Sequence, residues 1–151
     1  MEYPDYNIRM DKEGNWFYND EQIVNKNICL YFSQHIIKDQ EGNYQLSVKG
    51  QTCNIDVEDT PYVVKYISIL DGLNAKAEVL LNDLTTEIIH WNQIWVKNET
   101  HIYCLVKDGR FEARFNRNSQ FEFGVLLHYD DKRRKYYLPQ ADKKYYLSVG
   151  K

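Results

Sequence analysis

The chain has 151 residues, which is enough for one compact domain or for two small modules that share a core. Its 19 basic and 22 acidic residues give a net charge of -3, which argues against a general polyanion binder and gives the chain no attraction to anionic lipid. We therefore expect neither nucleic acid nor a membrane as partner, and no apolar run approaches the roughly 20 residues that span a bilayer.

The N-terminus and the cysteines predict a cytoplasmic protein. Residues 1–5 contain neither a basic segment nor an apolar core, so no secretory signal is expected. Cys29, Cys53 and Cys104 are odd in number, far apart and without a Cys-x-x-Cys pair, which is typical of reduced thiols. No metal or cofactor is predicted, because the chain has no phosphate loop, nucleophile elbow or zincin helix.

Two nearly identical hexapeptides predict two hairpin loops. Residues 11–16 read Asp-Lys-Glu-Gly-Asn-Trp and residues 39–44 read Asp-Gln-Glu-Gly-Asn-Tyr. Both suit a three-residue loop in which glycine takes a positive φ and forms a bulge. The first loop would place Met10 beside Trp16 and Ile8 beside Tyr18.

Each hairpin region is associated with a predicted helix. Apolar side chains at helical spacing in residues 28–37 indicate a short amphipathic helix, which Asn25 or Asn27 could cap. A second helix is predicted from about 119 to 127. Gly124 weakens it, so a strand that begins near Val125 is the alternative.

The middle of the chain predicts three strands, at residues 62–70, 75–81 and 85–89. Pro61 suits the first residue of a strand, where no ladder donor is needed. The connection near residues 71–72 is the predicted boundary between an N-terminal module, residues 1–72, and a C-terminal module, residues 73–151.

The clearest hairpin lies at residues 101–116. Asp108 and Gly109 supply the two positive-φ positions of a type I′ turn between two alternating segments. This register pairs Val106 with Phe111, Cys104 with Ala113 and Ile102 with Phe115, and it puts these six side chains on one apolar face.

An internal repeat predicts the fold class. Gly-x-aromatic, an apolar segment ending in His, and Tyr-x-Leu occur in residues 13–55 and again in residues 108–147. We predict an α+β protein of two related β-rich modules, mostly antiparallel hairpins, each with one short helix. The repeat would equate Trp16 with Phe111 and His35 with His128. A groove between modules is a favoured place for a ligand.

Four segments carry a resemblance to a known family: residues 8–18, 42–46, 57–62 (Val-Glu-Asp-Thr-Pro-Tyr) and 105–117. They resemble the bacterial DUF1285 family, a domain of unknown function. The hallmarks of that family are a Val-Glu-Asp-x-Pro-aromatic run after a Gly-x-Trp start and a later Leu-Glu-Ala-Arg-x-x-Arg segment. The resemblance spans most of the chain and implies two related α+β modules with a ligand-binding or signalling role and no established reaction.

Charged residues provide the candidate site. Adjacent acids on a strand point to opposite faces, so one of Glu58 and Asp59 can enter a given cleft. Arg110, Arg114 and Arg117 form a basic set whose guanidinium groups could bind carboxylate or phosphate, or in which Arg114 could pair with one of those acids. The predicted ligand-binding residues are Glu58, Asp59, Arg114 and Arg117, with Trp16 and Tyr62 as apolar walls.

Three functions are consistent with these features. The first is a non-catalytic module that binds a small anionic ligand or acts in regulation or signalling. The second is an enzyme that uses the same arginines on a small anionic metabolite. The third is a structural or adaptor protein whose aromatic edge strands pair with a protein partner or with a second copy in a homodimer, since 13 Tyr, 6 Phe and 3 Trp are present.

Overall fold

The computed structural model describes residues 7–70, 76–98, 100–140 and 142–149, and strands dominate it. The first half contains β1 (Ile8–Met10), β2 (Trp16–Tyr18), β3 (Glu21–Gln22), α1 (Lys26–Ser33), β4 (Ile36–Lys38), β5 (Tyr44–Val48), β6 (Gln51–Asn54), β7 (Asp56–Val57) and β8 (Tyr62–Ile69). The second half contains β9 (Lys76–Leu81), β10 (Thr86–His90), a 3-10 helix (Trp91–Gln93), β11 (Ile94–Lys97), β12 (His101–Val106), β13 (Phe111–Phe115), α2 (Arg117–Gly124), β14 (His128–Asp130), β15 (Lys135–Gln140), β16 (Lys143–Tyr146) and β17 (Ser148–Val149).

The described strands form two larger sheets and two small meanders. The larger sheets have the orders β3-β2-β1-β7 and β10-β9-β8-β13-β12-β11-β17, and the meanders are β4-β5-β6 and β14-β15-β16. Pairing is antiparallel except between β1 and β7, β11 and β17, and β8 and β13. The prediction of an α+β fold with two β-rich modules of mostly antiparallel strands, each with one short helix, is confirmed.

Both hexapeptides form the predicted three-residue loops. Gly14 and Gly42 take φ values of 86° and 88°. In each loop the leading aspartate accepts two backbone N–H groups, and its own N–H donates to the asparagine carbonyl at 2.9 Å. The predicted neighbours across the first hairpin are confirmed, since Met10 pairs with Trp16.

The helices are shorter than the sequence predicted. Asn25 caps α1, and its side chain accepts the backbone N–H groups of residues 27 and 28. The helix stops at Ser33, because Ile36 then pairs with Leu46 in the meander and is buried there. Asn116 caps α2, so that helix begins at residue 117 instead of 119. The following strand begins at residue 128, later than the alternative start near residue 125.

The hairpin of β12 and β13 has the predicted register, but its turn departs from the predicted two-residue form, because Lys107 also takes a positive φ, 55°, and its N–H donates to the Glu87 carboxylate. Val106 pairs with Phe111, and Cys104 pairs with Ala113. Asp108 and Gly109 have φ values of 58° and 77°, as a type I′ turn requires. All six side chains predicted for the apolar face are buried.

The three predicted middle strands are present as β8, β9 and β10, and every end lies within one residue of its predicted limit. The predicted boundary near residues 71–72 lies outside the described residues. β8 and β9 on either side of it pair with each other in one sheet. The division into residues 1–72 and 73–151 therefore stays a prediction.

The internal repeat is visible as a repeated topology. Three antiparallel strands, a helix of 8 residues, a three-stranded meander and a final strand parallel to the first occur as β1 to β7 and again as β11 to β17. Tyr44 and Tyr136 lie on the second strand of their meanders. Each carbonyl accepts an N–H, from Ile55 and Leu147 respectively.

The predicted equivalence of Trp16 and Phe111 is wrong by one strand. Trp16 pairs with Met10, which pairs in parallel with the last strand of the first repeat. Ile102 stands in the same relation to Val96 in the second repeat. Trp16 therefore corresponds to Ile102, because Phe111 lies on the third strand of its repeat rather than the second.

The two predicted helix-end histidines also differ in position. His35 follows the cap of α1, and its Nδ1 lies 2.6 Å from the Tyr31 carbonyl oxygen. His128 already belongs to β14 and packs against Tyr137.

The buried side chains at corresponding positions of the two repeats form one core. They are Ile8, Met10, Trp16, Leu46 and Ile55 in the first repeat and Ile94, Val96, Ile102, Leu138 and Leu147 in the second. Ser119 of α2 ties the helix to the sheet, because its hydroxyl donates to the Val64 carbonyl at 2.8 Å. Neither α1 nor α2, the helices of the described part, has the length and apolar character needed to cross a membrane.

Candidate functional site

The predicted contact between an acid and an arginine of the two halves is present at Asp59. Arg114 of β13 donates to Asp59 Oδ2 at 3.1 Å. Tyr103, which faces Arg114 across the hairpin, donates its hydroxyl to the same oxygen at 2.6 Å. The Thr60 hydroxyl oxygen also accepts the Arg114 backbone N–H at 3.0 Å.

The polar groups of this cluster form hydrogen bonds with one another. Burial, together with the hydrogen bond to the Asp59 carboxylate, raises the pKa of Tyr103 to about 12. Asp59 and Tyr103 line a shallow cleft of about 390 Å³ beside Trp95 and Lys97. The contacts connect the segment after β7 to the hairpin of β12 and β13, so they account for Arg114 and Asp59 as a structural pair.

The other predicted site residues lie elsewhere. Glu58 is exposed, and its carboxylate accepts the Lys12 backbone N–H at 2.7 Å. Trp16 is buried in the core, where its indole N–H donates to Ser33 Oγ at 3.1 Å. Arg117 is the first residue of α2 and lines a groove in the second repeat. Tyr62 lines a different cleft, so the structure brings together only Asp59 and Arg114.

A cleft of about 740 Å³ lies between the first repeat and the seven-stranded sheet. We call it the inter-module cleft. Its lining residues come from the α1–β4 connection and β4 on one side, and from the start of β8, the β9–β10 turn, the β12–β13 turn and the start of β13 on the other. They are Gln34, Ile36, Ile37 and Lys38 on the first side and Tyr62, Asp83, Lys107, Arg110 and Phe111 on the second.

One cation of this cleft is neutralised inside the protein. Lys107 Nζ lies 2.6 Å from Asp83 Oδ2 and 2.9 Å from Thr85 Oγ1. The Asp83 side chain is only 4% exposed, so the pair is largely removed from water. The Lys107 backbone takes a φ of 55°, and its N–H donates to the Glu87 carboxylate instead of across the hairpin.

Two further cations have no acidic partner in the described residues. Lys38 Nζ donates to the Arg110 carbonyl at 2.7 Å and lies 5.0 Å from the centre of the Phe111 ring. Arg110 Nε donates to the Lys107 carbonyl at 3.2 Å. These backbone contacts position Lys38 and Arg110 without cancelling their charges.

Tyr62 supplies an aromatic wall and a hydroxyl group. Its ring packs edge-on against Phe111 at 5.3 Å, and Lys107 Nζ lies 5.1 Å from its centre. Burial, and then the nearby Asp83 carboxylate, raises the pKa of Tyr62 to about 12. The hydroxyl therefore stays protonated at neutral pH and can donate a hydrogen bond.

Sequence reasoning found Tyr62 but missed Lys38, Asp83 and Lys107. Arg110, which also lines this cleft, belonged to the predicted basic set, so a signal for one side of the cleft was present. Lys38 gave no signal, because its contact with Arg110 joins residues 72 positions apart in the chain.

A second concave surface lies in the second repeat. This groove, of about 470 Å³, has an apolar floor from Val96, Ile102, Leu127 and Tyr136. Arg117 lies in its lining, and we call it the α2 groove.

In the described residues, no three His, Cys, Asp or Glu side chains are grouped so that they could hold a metal ion. The three cysteines are free thiols. Cys104 is buried, whereas Cys29 and Cys53 are half-buried. Burial raises the pKa of the Cys104 thiol, so it remains neutral.

Solved structures share this architecture. A DUF1285 family protein from Silicibacter pomeroyi DSS-3 has a TM-score of 0.74 and 20% identity, over 95% of this chain and 80% of that chain. A DUF1285 family protein from Shewanella baltica OS155 has a TM-score of 0.57 and 14% identity, over 80% of this chain and 91% of that chain. No protein-family model and no curated protein matches the sequence. The repeated topology and these two likenesses together show that the chain has a DUF1285-like fold.

Proposed function

We propose that this protein is a non-catalytic binding module that takes a small anionic ligand in the inter-module cleft. The observation that supports this most is the pair of cations, Lys38 and Arg110, that have backbone acceptors but no carboxylate partner among the described residues. An anion in the cleft would contact both charges at once.

The arrangement favours a ligand with both charge and an apolar surface. Arg110 uses its Nε on a backbone carbonyl, which leaves its two Nη groups for a carboxylate or phosphate. Tyr62 and Phe111 form an aromatic wall next to these cations. Pockets that combine an apolar lining with a few placed polar groups are typical small-molecule sites.

The lining supports binding more than catalysis. The Asp83 carboxylate accepts hydrogen bonds from Lys107 and Thr85, so it is not free to act as a base. The raised pKa of Tyr62 keeps its hydroxyl in the donor form. Because both halves line the cleft, a bound ligand would also connect Lys38 to the β12–β13 turn, which is how a regulatory module could report occupancy.

A thermal-shift screen with small carboxylates, phosphates and nucleoside phosphates tests the proposal. A ligand at about 100 times its Kd should add about 2.7 kcal/mol of stability to the wild-type protein. Lys38→Met and Arg110→Met should each weaken the best hit about tenfold, because each removes one charge-assisted contact. Arg110→Lys should weaken it too, since Lys lacks the planar fork.

The matched control is Lys26→Met, which removes one positive charge at an exposed position outside the cleft lining. It should leave the affinity unchanged. Equal losses in Lys26→Met and Arg110→Met would show that net charge, and not the cleft, attracts the ligand. Such a result would contradict the proposal.

A further inference from the structure

The internal repeat provides a template for the α2 groove. Ile102 in the groove floor corresponds to Trp16, because both pair with the same strand position of their repeats. Gly124 corresponds to Ser33, because each is the last residue of its 8-residue helix, after an asparagine cap. The two repeats can therefore be compared position by position.

In the first repeat the space between helix and sheet is filled. The Trp16 indole is 1% exposed, packs edge-on against Phe32 at 5.4 Å, and donates its N–H to Ser33 Oγ. In the second repeat an isoleucine replaces the indole and a glycine replaces the serine. Both replacing residues, Ile102 and Gly124, line the open α2 groove of about 470 Å³.

The groove has an apolar lining, and no side chain of the described residues fills it as Trp16 fills the first repeat. Val96 and Ile102 in its floor are buried, and Phe121 at its edge is 70% exposed. A Cβ atom added at Gly124 would have no heavy atom within 4 Å, so the helix side of the groove is open. Gln120 holds that helix to the sheet, because its side chain accepts the Ile102 N–H at 3.0 Å and donates to the Thr100 carbonyl at 2.7 Å.

One charge lies at the groove. Arg117 is exposed, has no ion-pair partner in the described chain, and lines the groove without any acidic neighbour among the lining residues. An apolar space with one free guanidinium group is complementary to an apolar ring that carries an anionic group.

From the empty counterpart of the Trp16 site and the free Arg117, we infer that the α2 groove binds a planar aromatic anion of about indole size. The site is separate from the inter-module cleft, since the two share no lining residue. Its ligand would place the ring over Ile102 and Gly124 and its anionic group at Arg117.

Two indole probes that differ by one carboxylate group test the inference on ¹⁵N-labelled full-length protein. Indole-3-acetate carries a carboxylate, whereas 3-methylindole is neutral. Both should shift the Gly124 amide resonance in a saturable manner. Arg117→Met should weaken indole-3-acetate about tenfold through loss of a charge-assisted contact and should leave 3-methylindole unchanged.

Two variants that fill the groove complete the test. Ile102→Trp rebuilds the indole of the first repeat, and Gly124→Leu fills the space from the helix with a better helix former. Either should abolish binding of both probes, whereas Val24→Trp, at a position 82% exposed and outside the groove lining, should not.

If Ile102→Trp does not fold, the result with Gly124→Leu decides the test. Binding that survives Gly124→Leu, or no shift at Gly124 with either probe, would overturn the inference. A concentration-dependent dimer whose groove excludes both probes would overturn it as well, because the occupant would then be a second copy.

Discussion

The two tryptophans that are almost fully buried in the described core differ in one hydrogen bond. Trp16 donates to Ser33 Oγ, whereas the Trp91 indole nitrogen has no partner among the described atoms. Trp91 stacks on Phe123 at 5.7 Å, so its ring contributes packing while its N–H contributes no bond. A buried donor without a partner carries its desolvation cost in full.

This difference predicts unequal costs for the same substitution. Trp16→Phe removes a hydrogen bond and leaves Ser33 Oγ with only the longer contact from Asn82 Nδ2 at 3.4 Å, whereas Trp91→Phe removes an unsatisfied group. We expect Trp16→Phe to lower the free energy of unfolding by about 1–3 kcal/mol more than Trp91→Phe does. Urea unfolding followed by circular dichroism measures both. Equal losses, or a larger loss at Trp91, would contradict this view of the core.

At the level of elements, the twin hexapeptide loops are a natural matched pair. Gly14 and Gly42 share the same local sequence and nearly the same φ, 86° and 88°. Their surroundings differ, because a Cβ at Gly14 would lie 3.0 Å from Val63 Cγ2, whereas one at Gly42 would meet nothing within 4 Å.

Gly42→Ala should therefore cost only the backbone term of a left-handed conformation, about 1–2 kcal/mol. Gly14→Ala should cost more, since β8 must move or Val63 must shift. The double variant Gly14→Ala/Val63→Ala should recover the extra loss and return the cost toward that of Gly42→Ala. Thermal unfolding of the single variants and the double variant gives the comparison, and no recovery would mean that Val63 is not the obstacle.

The same elements show what sequence can and cannot predict. Hairpins were predictable because a turn residue such as Gly109 and the alternation around it act locally. The parallel pairing of β8 with β13 has no local signature, yet it brings Tyr62 opposite Ala113 and next to Phe111. The inter-module cleft depends on that pairing, so its position could not be derived from motifs.

At the level of the whole molecule, the repeat explains why the candidate site was only partly predicted. A sequence match between glycine–aromatic turns aligned Trp16 with Phe111, whereas strand order aligns it with Ile102. Similar glycine–aromatic turns occur at different places in the two repeats. The repeats share the positions of their buried side chains instead of the positions of these turns. Where corresponding positions of the two repeats carry different side chains, as at Trp16 and Ile102, the surface beside them can serve another purpose than core packing.

The stability of the whole fold should depend on alkaline pH through two tyrosines. Burial raises the pKa of both Tyr62 and Tyr103 from 10.0 to about 12. Below pH 10 both are protonated in the folded and unfolded states, so their contribution is fully present. Between pH 10 and about 12 the unfolded chain releases these protons while the folded protein keeps them, and the free energy of unfolding therefore falls as pH rises. Burial of the Cys104 thiol acts with the same sign.

Urea unfolding at about pH 9 and about pH 11 should show this loss for the wild-type protein. Tyr62→Phe and Tyr103→Phe should each reduce the difference between the two pH values, because a phenylalanine has no proton to lose. The double variant should have the smallest pH dependence, even though Tyr103→Phe also removes the hydrogen bond to Asp59 and lowers stability at both pH values. If the double variant loses as much stability as the wild type between the two pH values, the alkaline transition arises from other groups, and the buried, protonated state assigned to Tyr62 in the inter-module cleft is wrong.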